Sequence, residues 1–330
     1  MTLTKHLAIL TLAVVSLMAR AEVHFQIYDE PVVNGHPGFL SAWAVSGELD
    51  KVVIIVPGFD TENDELPYDR LTGDYLPLVE HVGALGWDVL FFEYVDGSID
   101  LRDNADNLAR FIDYVHTQAI ADYHLAVIGG SMGGIVTRTL LVQENSAMGI
   151  DSFVSIDSPH RGVTLSKWVN EDLINLLLQY EAAQQMQAGS AEYNEHYGWL
   201  ESVEGQRTFR QEILKPINTA SVTLSDASGG YWKVKPADEA LHNRFYPVSS
   251  YVEYSGLRST YMPYHSTALL VSKSTKRKFK NGSNRYRYKK NRSRYFDVII
   301  PNKRDEHGAP EYAVQQAVDF ILSVGPDSAQ

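Results

Sequence analysis

Ser131 lies in Gly129-Gly130-Ser131-Met132-Gly133-Gly134, between the apolar run Leu125-Ala126-Val127-Ile128 and the stretch Ile135 to Leu141. A serine hydroxyl attacks a carbonyl only when its surroundings take its proton and stabilise the charge that forms. The flanking residues offer such surroundings. The apolar run predicts a buried parallel strand and the stretch after the motif predicts a helix, so the serine falls on the sharp turn between them. Such a turn is strained and packs tightly, and the glycines at 129, 133 and 134 meet that demand. It lifts the hydroxyl clear of the sheet and aims the first free amides of the helix at the same spot, the geometry of a nucleophile elbow.

Three further groups must reach that spot. The first is a base, and His307, in Arg304-Asp305-Glu306-His307-Gly308, is the leading candidate among eleven histidines. It sits between the last expected strand and the terminal helix, and a doubly wound sheet delivers such loops to one shared edge. His160 and His265 are its rivals. The second is a carboxylate to orient the base. Asp157, in Ile156-Asp157-Ser158-Pro159-His160-Arg161-Gly162, is preferred, and Asp226, after the next strand, is the alternative. Both satisfy the order Ser, Asp, His. The third is a pair of amide donors for the tetrahedral oxyanion. Met132, next to the serine, and Phe59, in the turn Pro57-Gly58-Phe59, are the expected donors.

The elements that must position these groups alternate. Strands are expected at 23–28, 38–43, 52–56, 88–92, 125–128, 152–156, 221–224 and 295–300, with helices at 75–85, through Leu108, Phe111, Ile112 and Val115, after the elbow, and at 312–324. Strand and helix in alternation specify an α/β fold with a mostly parallel central sheet flanked by helices. Residues 163–216 interrupt it with helical character and are expected to be a cap insertion. The segment 273–294 holds eleven Lys or Arg and no Asp or Glu. Its alternation with Phe and Tyr around Asn281-Gly282 predicts a basic β-hairpin, suited to peripheral contact with anionic lipid or acidic polysaccharide.

The first 21 residues read as a signal peptide. Lys5 and His6 precede the uncharged run Leu7 to Met18, and Ala19-Arg20-Ala21 is an A-x-A cleavage pattern. Cleavage after Ala21 implies a secreted or periplasmic protein, with residues 22–330 as a single domain. The chain has no cysteine, which excludes disulfides and amino-terminal lipoprotein attachment. Loss of Lys5 and Arg20 leaves 27 basic residues against 41 acidic ones, a net charge of −14. That acidity argues against nucleic acid as a partner.

Taken together, these motifs resemble the α/β-hydrolase superfamily, particularly secreted bacterial lipases and esterases and, more distantly, GPI-inositol-deacylase-like proteins. The Gly129–Gly134 motif is similar to the lipase G-H-S-M-G-G elbow, with Gly130 in place of the usual histidine. Residues 157–162 resemble a T-P-H-R-G turn, and Val56-Pro57-Gly58-Phe59 resembles the V-H-G-F oxyanion turn, with Pro57 in the histidine position. Asp157 stands where those lipases usually carry a small residue and resembles the earlier acid placement of pancreatic-type lipases. The resemblance covers roughly 50–162 and 296–322. It implies hydrolysis of a small-molecule or lipid ester through an acyl-enzyme, without metal or other cofactor. The same triad would also serve thioester or amide cleavage or acyl transfer, and a hydrolase scaffold could serve binding alone.

Overall fold

The computed structural model describes residues 24–33, 36–45, 47–60, 67–73, 75–162, 178–187, 190–223, 231–234, 269–272, 277–278, 284–302 and 311–326. The signal-peptide segment, His265, Asp226, His307 and the Asn281-Gly282 turn lie outside them, as does 163–177 of the expected cap.

Twelve described strands form two sheets. The larger holds β1 (His24–Val33), β2 (His36–Val45), β3 (Lys51–Val56), β4 (Asp88–Tyr94), β5 (His124–Gly130), β6 (Ile150–Ile156), β7 (Asn218–Thr223) and β12 (Val298–Pro301). Their order is β1-β2-β4-β3-β5-β6-β7-β12. β2 pairs antiparallel with both neighbours, and every pairing from β4 to β12 is parallel. The chain steps from β3 outward to β4, then crosses back over β3 to β5. That reversal opens a crevice at the carboxyl ends of β3 and β5, where open α/β sheets bind their ligands.

The expected alternation is present, with α1 (Pro67–Thr72) and α2 (Leu76–Gly83) before β4, α3 (Leu101–Gln118) before β5, and α4 (Met132–Glu144) before β6. Because β3 is covered on both faces, it is apolar throughout and serves two cores. Val52, Ile54 and Val56 join Phe92, Phe111, Ile135 and Phe153 on one side. Val53 and Ile55 join Val79, Phe91 and the terminal helix α7 (Glu311–Val324), through Ala317 and Ile321, on the other.

Past β6, α5 (Glu181–Met186), α6 (Ala191–Glu204) and a π-helical turn (Phe209–Leu214) occupy the described part of the expected insertion. They are bound to the sheet core. The Tyr197 hydroxyl donates to Pro159 O at 2.6 Å, and the Leu101 amide donates to Gln185 Oε1 at 2.8 Å. The fully buried Arg138 of α4 donates Nε and Nη2 to the two Glu204 carboxylate oxygens at 2.5 and 2.6 Å.

The second sheet holds β8 (Tyr231–Val234), β9 (Leu270–Ser272), β10 (Arg277–Lys278) and β11 (Asn284–Ser293). β10 and β11 pair antiparallel across the predicted turn, with Lys278 opposite Asn284. The basic hairpin is therefore part of a larger sheet, since β11 also pairs with β8 and β9.

Several strand boundaries shift, and the one at the last strand of the main sheet has a clear cause. The last strand of the main sheet begins at Val298, not Tyr295. The Asp297 carboxylate accepts from the amide and hydroxyl of Thr219 at 3.2 and 2.9 Å, which pins the chain just before the strand. Tyr295 and Phe296 turn inward instead and pack on Phe153. An aromatic pair next to Val-Ile-Ile carries the same local β signal, so only the tertiary contact separates them.

Candidate active site

Ser131 follows β5 directly and precedes α4, with φ 48° and ψ −118°. A non-glycine residue at positive φ costs on the order of 1–3 kcal/mol and persists only when the surroundings impose it. Here they do. The Ser131 amide donates to Ile156 O at 2.9 Å, tying the turn to the neighbouring strand. A methyl on Gly133 would lie 2.5 Å from Pro57 O and closer still to Val56 O, so α4 begins directly against the end of β3. Gly130 is different, with no atom within 4 Å of a methyl built there. The absence of the lipase histidine at this position leaves open space.

The commonest structural use of a serine before a helix is to cap it by accepting from an amide of the first turn. Asp100 and Ser190 do this for α3 and α6. Ser131 makes no such bond to α4.

The hydroxyl stands at a cavity of about 260 Å³ in the switch-point crevice. Pro57, Gly58 and Phe59 form one wall, Gly130 and Ser131 another, and Ile156 and Asp157 a third, with Arg70, Tyr75 and Val314 at the margin. A methyl built on Gly58 would sit 3.2 Å from Ser131 Cβ and 3.7 Å from Oγ. The Gly58 turn and the serine are thus in near contact, close enough that any side chain at 58 would press on Ser131. Met132 is the first residue of α4 and is fully buried. Phe59 packs edge-on against Tyr180, with ring centroids 6.0 Å apart.

Of the predicted residues, Ser131, Asp157, Phe59 and Met132 come together at the ends of β3, β5 and β6. Asp157 is 5% exposed, has φ 45°, and its amide donates to Val222 O at 2.8 Å. His160 is not brought there. It is absent from the cavity lining and fully buried, its Nε2 sharing a 2.8 Å hydrogen bond with the Ser155 hydroxyl. Burial, reinforced by the charges of Arg138 and Arg161, holds its imidazole well below the ordinary histidine range. It is a neutral core histidine, and its rivalry with His307 ends there.

Sequence reasoning missed Arg70. From α1, its Nη2 lies 3.2 Å from Asp60 Oδ2 and its Nε 3.3 Å from Glu93 Oε2. Asp60 continues the Pro57-Gly58-Phe59 turn, and Glu93 is a fully buried carboxylate near the end of β4. A buried carboxylate needs a cation. Arg70 supplies one and ties the turn to the sheet in the same contact. Nothing in its local sequence marks it, because both partners come from other elements. Among the described residues, no group of three or more His, Asp or Glu is gathered to hold a metal ion.

A mostly parallel sheet with one antiparallel strand, a crossover at β3 and β5 and an elbow serine at the switch point define an α/β-hydrolase fold. The family model of the PGAP1-like alpha/beta domain matches residues 94–222, from the end of β4 to β7. No curated protein sequence matches the chain. Among solved structures, Est1E from Butyrivibrio proteoclasticus is similar over 91% of this chain and 98% of its own, with 12% identity and a TM-score of 0.46. The mature lipase BlEst2 from Bacillus licheniformis is similar over 72% of this chain and 86% of its own, at 15% identity and TM-score 0.40. A thermostable carboxyl esterase from Bacillus coagulans covers 61% of this chain and 79% of its own, at 12% identity and TM-score 0.38.

Proposed function

We propose that the chain is a secreted serine hydrolase that cleaves carboxylic esters through an acyl-enzyme. Ser131 Oγ attacks the ester carbonyl while His307 takes its proton. The amides of Phe59 and Met132 hold the oxyanion, and Asp157 keeps the His307 imidazole in the right tautomer. The tetrahedral intermediate expels the alcohol, which receives the proton from His307. Water then attacks the acyl-Ser131 ester by the same route in reverse order, releasing the acid.

The observation that carries this reading is Ser131 itself: a strained serine that declines to cap its helix and faces a cavity shared with Asp157 and the Gly58 turn. Support for His307 comes from the two elements that flank its loop. β12 is followed by Asn302, whose amide donates to Thr223 O at 2.8 Å, and Val314, in the first turn of α7, lines the serine cavity. Asp226 remains the alternative acid, three residues past β7 in the sequence.

A fluorophosphonate probe followed by peptide mapping tests the proposal, together with p-nitrophenyl esters of short and long acyl chains. The label is expected on Ser131, and Ser131→Ala should lower ester turnover by about a thousandfold or more. Wild-type turnover in that variant removes Ser131 as the nucleophile. Labelling without ester turnover keeps the nucleophile and moves the substrate to a thioester, an amide or an acceptor alcohol.

A further inference from the structure

A second pocket, of about 130 Å³, shares no lining residue with the serine cavity. Three arginines reach it from three separate elements. Arg161 comes from the loop after β6, Arg210 from the π-helical turn, and Arg294 from the link between β11 and β12. The two glutamates on its wall already face a cation. Glu204 accepts both bonds from Arg138, and Glu201 lies 3.8 Å from the same guanidinium. Among the described residues, four guanidiniums therefore meet two carboxylates, a local positive excess in a chain of net charge −12.

Arg210 is held in place by donating Nη2 to Gly205 O at 2.9 Å and Nε to Gln206 O at 3.4 Å. Those bonds occupy two of its five N–H donors. Among the described residues, neither Arg210 nor Arg294 has a carboxylate within 4 Å. Among the described residues, the Tyr295 hydroxyl, in the same wall, is buried without a hydrogen-bond partner. Such hydroxyls usually find one.

We propose that this pocket binds a phosphate group and docks the protein on the phosphate headgroups of an anionic lipid surface. A planar carboxylate is satisfied by one guanidinium in a two-point contact, whereas a tetrahedral phosphate presents oxygens to donors converging from several directions. Three guanidiniums on three elements match the second shape. The lipid surface follows from what adjoins the pocket. Strand β11 carries Arg285, Arg287, Lys289, Lys290 and Arg292 directly into Arg294, within the segment that holds eleven basic residues and no acidic one. One isolated phosphate needs only the pocket, but a run of basic residues in the sequence that ends at the pocket's own Arg294 suits an array of phosphates.

The test uses the full chain in vesicle co-sedimentation, with phosphatidylcholine alone against mixtures containing phosphatidylglycerol. Binding is expected only to the anionic vesicles, weakening as salt rises and on addition of inorganic phosphate. Arg210→Gln and Arg294→Gln should each weaken it about fivefold. Arg207→Gln, an exposed arginine outside the pocket, should not. Ser131→Ala should bind like wild type, which separates this inference from the hydrolase reading. Equal loss in Arg207→Gln would mean diffuse attraction and no site. Binding of inorganic phosphate without vesicle binding overturns the membrane assignment. Retention by a carboxylate-bearing polysaccharide in place of vesicles overturns the proposal, as does an absence of both phosphate and vesicle binding.

Discussion

Three glycine-to-alanine substitutions around Ser131 should have three different outcomes, each set by what the added methyl meets. At Gly133 the methyl falls 2.5 Å from Pro57 O and 2.8 Å from the Val56 carbonyl carbon, and both neighbours are backbone. Relief to ordinary contact requires a shift of about 1 Å between the start of α4 and the end of β3, a strain at or above the upper end of the 1–3 kcal/mol typical of overpacking. Because Met132 opens α4 and Phe59 follows three residues after β3, the same shift would open the proposed oxyanion hole. A displacement of about 1 Å can cost on the order of a hundredfold in rate. At Gly58 the methyl meets Ser131 Cβ at 3.2 Å, a contact relieved by a few tenths of an ångström. The fold should survive, but the methyl stands in the approach to Oγ, so kcat should fall about tenfold or more with the melting temperature nearly unchanged. At Gly130 the methyl meets nothing within 4 Å. Alanine there should be neutral, or stabilising by about 0.4–1 kcal/mol through the unfolded chain. Urea unfolding and p-nitrophenyl ester kinetics on the three variants read both quantities. Equal damage at Gly130 and Gly133, or a Gly133 variant with wild-type stability and turnover, would refute the close-packed elbow on which the site rests.

Three other predictions are independent of that series. Asp157→Asn should lower turnover by about ten-thousandfold while the protein stays folded, and Asp226→Asn should leave turnover largely intact; the opposite pattern moves the acid to Asp226. The buried Arg138–Glu204 pair should lose about 3–5 kcal/mol of stability when only Arg138 is replaced by Met, because a carboxylate is left without its cation. The double variant Arg138→Met, Glu204→Gln should recover part of that loss in urea unfolding, and a double variant as unstable as the single one counts against the account. His196, buried against Thr139, is pushed down to about pH 3 by burial, with Arg102 adding to the effect. Between pH 3 and about 6.5 the unfolded chain holds a proton here that the native state does not. Stability should therefore fall as pH drops through that window, by up to about 1.4 kcal/mol per pH unit for this residue, with His160 acting in the same direction. His196→Gln should flatten the slope, and an unchanged slope would exonerate the histidine.

How much of this was legible beforehand depends on the range of the interaction involved. The elbow could be read because its requirements are local: an apolar strand, a residue that must turn sharply, and small neighbours where the helix closes on the sheet. The alternation of strand and helix was equally readable, since each element's period is written in its own residues. His160 was not. A histidine in Ser158-Pro159-His160-Arg161 has the same local signature whether it meets the serine or, as here, Ser155 and Phe296 inside the core. The start of β12 was misjudged for a similar reason, because Thr219, 78 residues away, decides where Asp297 is held.

By itself, then, the chain determined its α/β class, the serine turn and a basic segment, all of which arise from neighbours within a few residues. Only the tertiary structure decided the strand order that opens the crevice between β3 and β5, the Arg70 contacts to Asp60 and Glu93, and the meeting of Arg161, Arg210 and Arg294 in one pocket. Those depend on segments from ten to more than a hundred residues apart. Their encounter is set by burial of the two cores and not by any pattern along the chain.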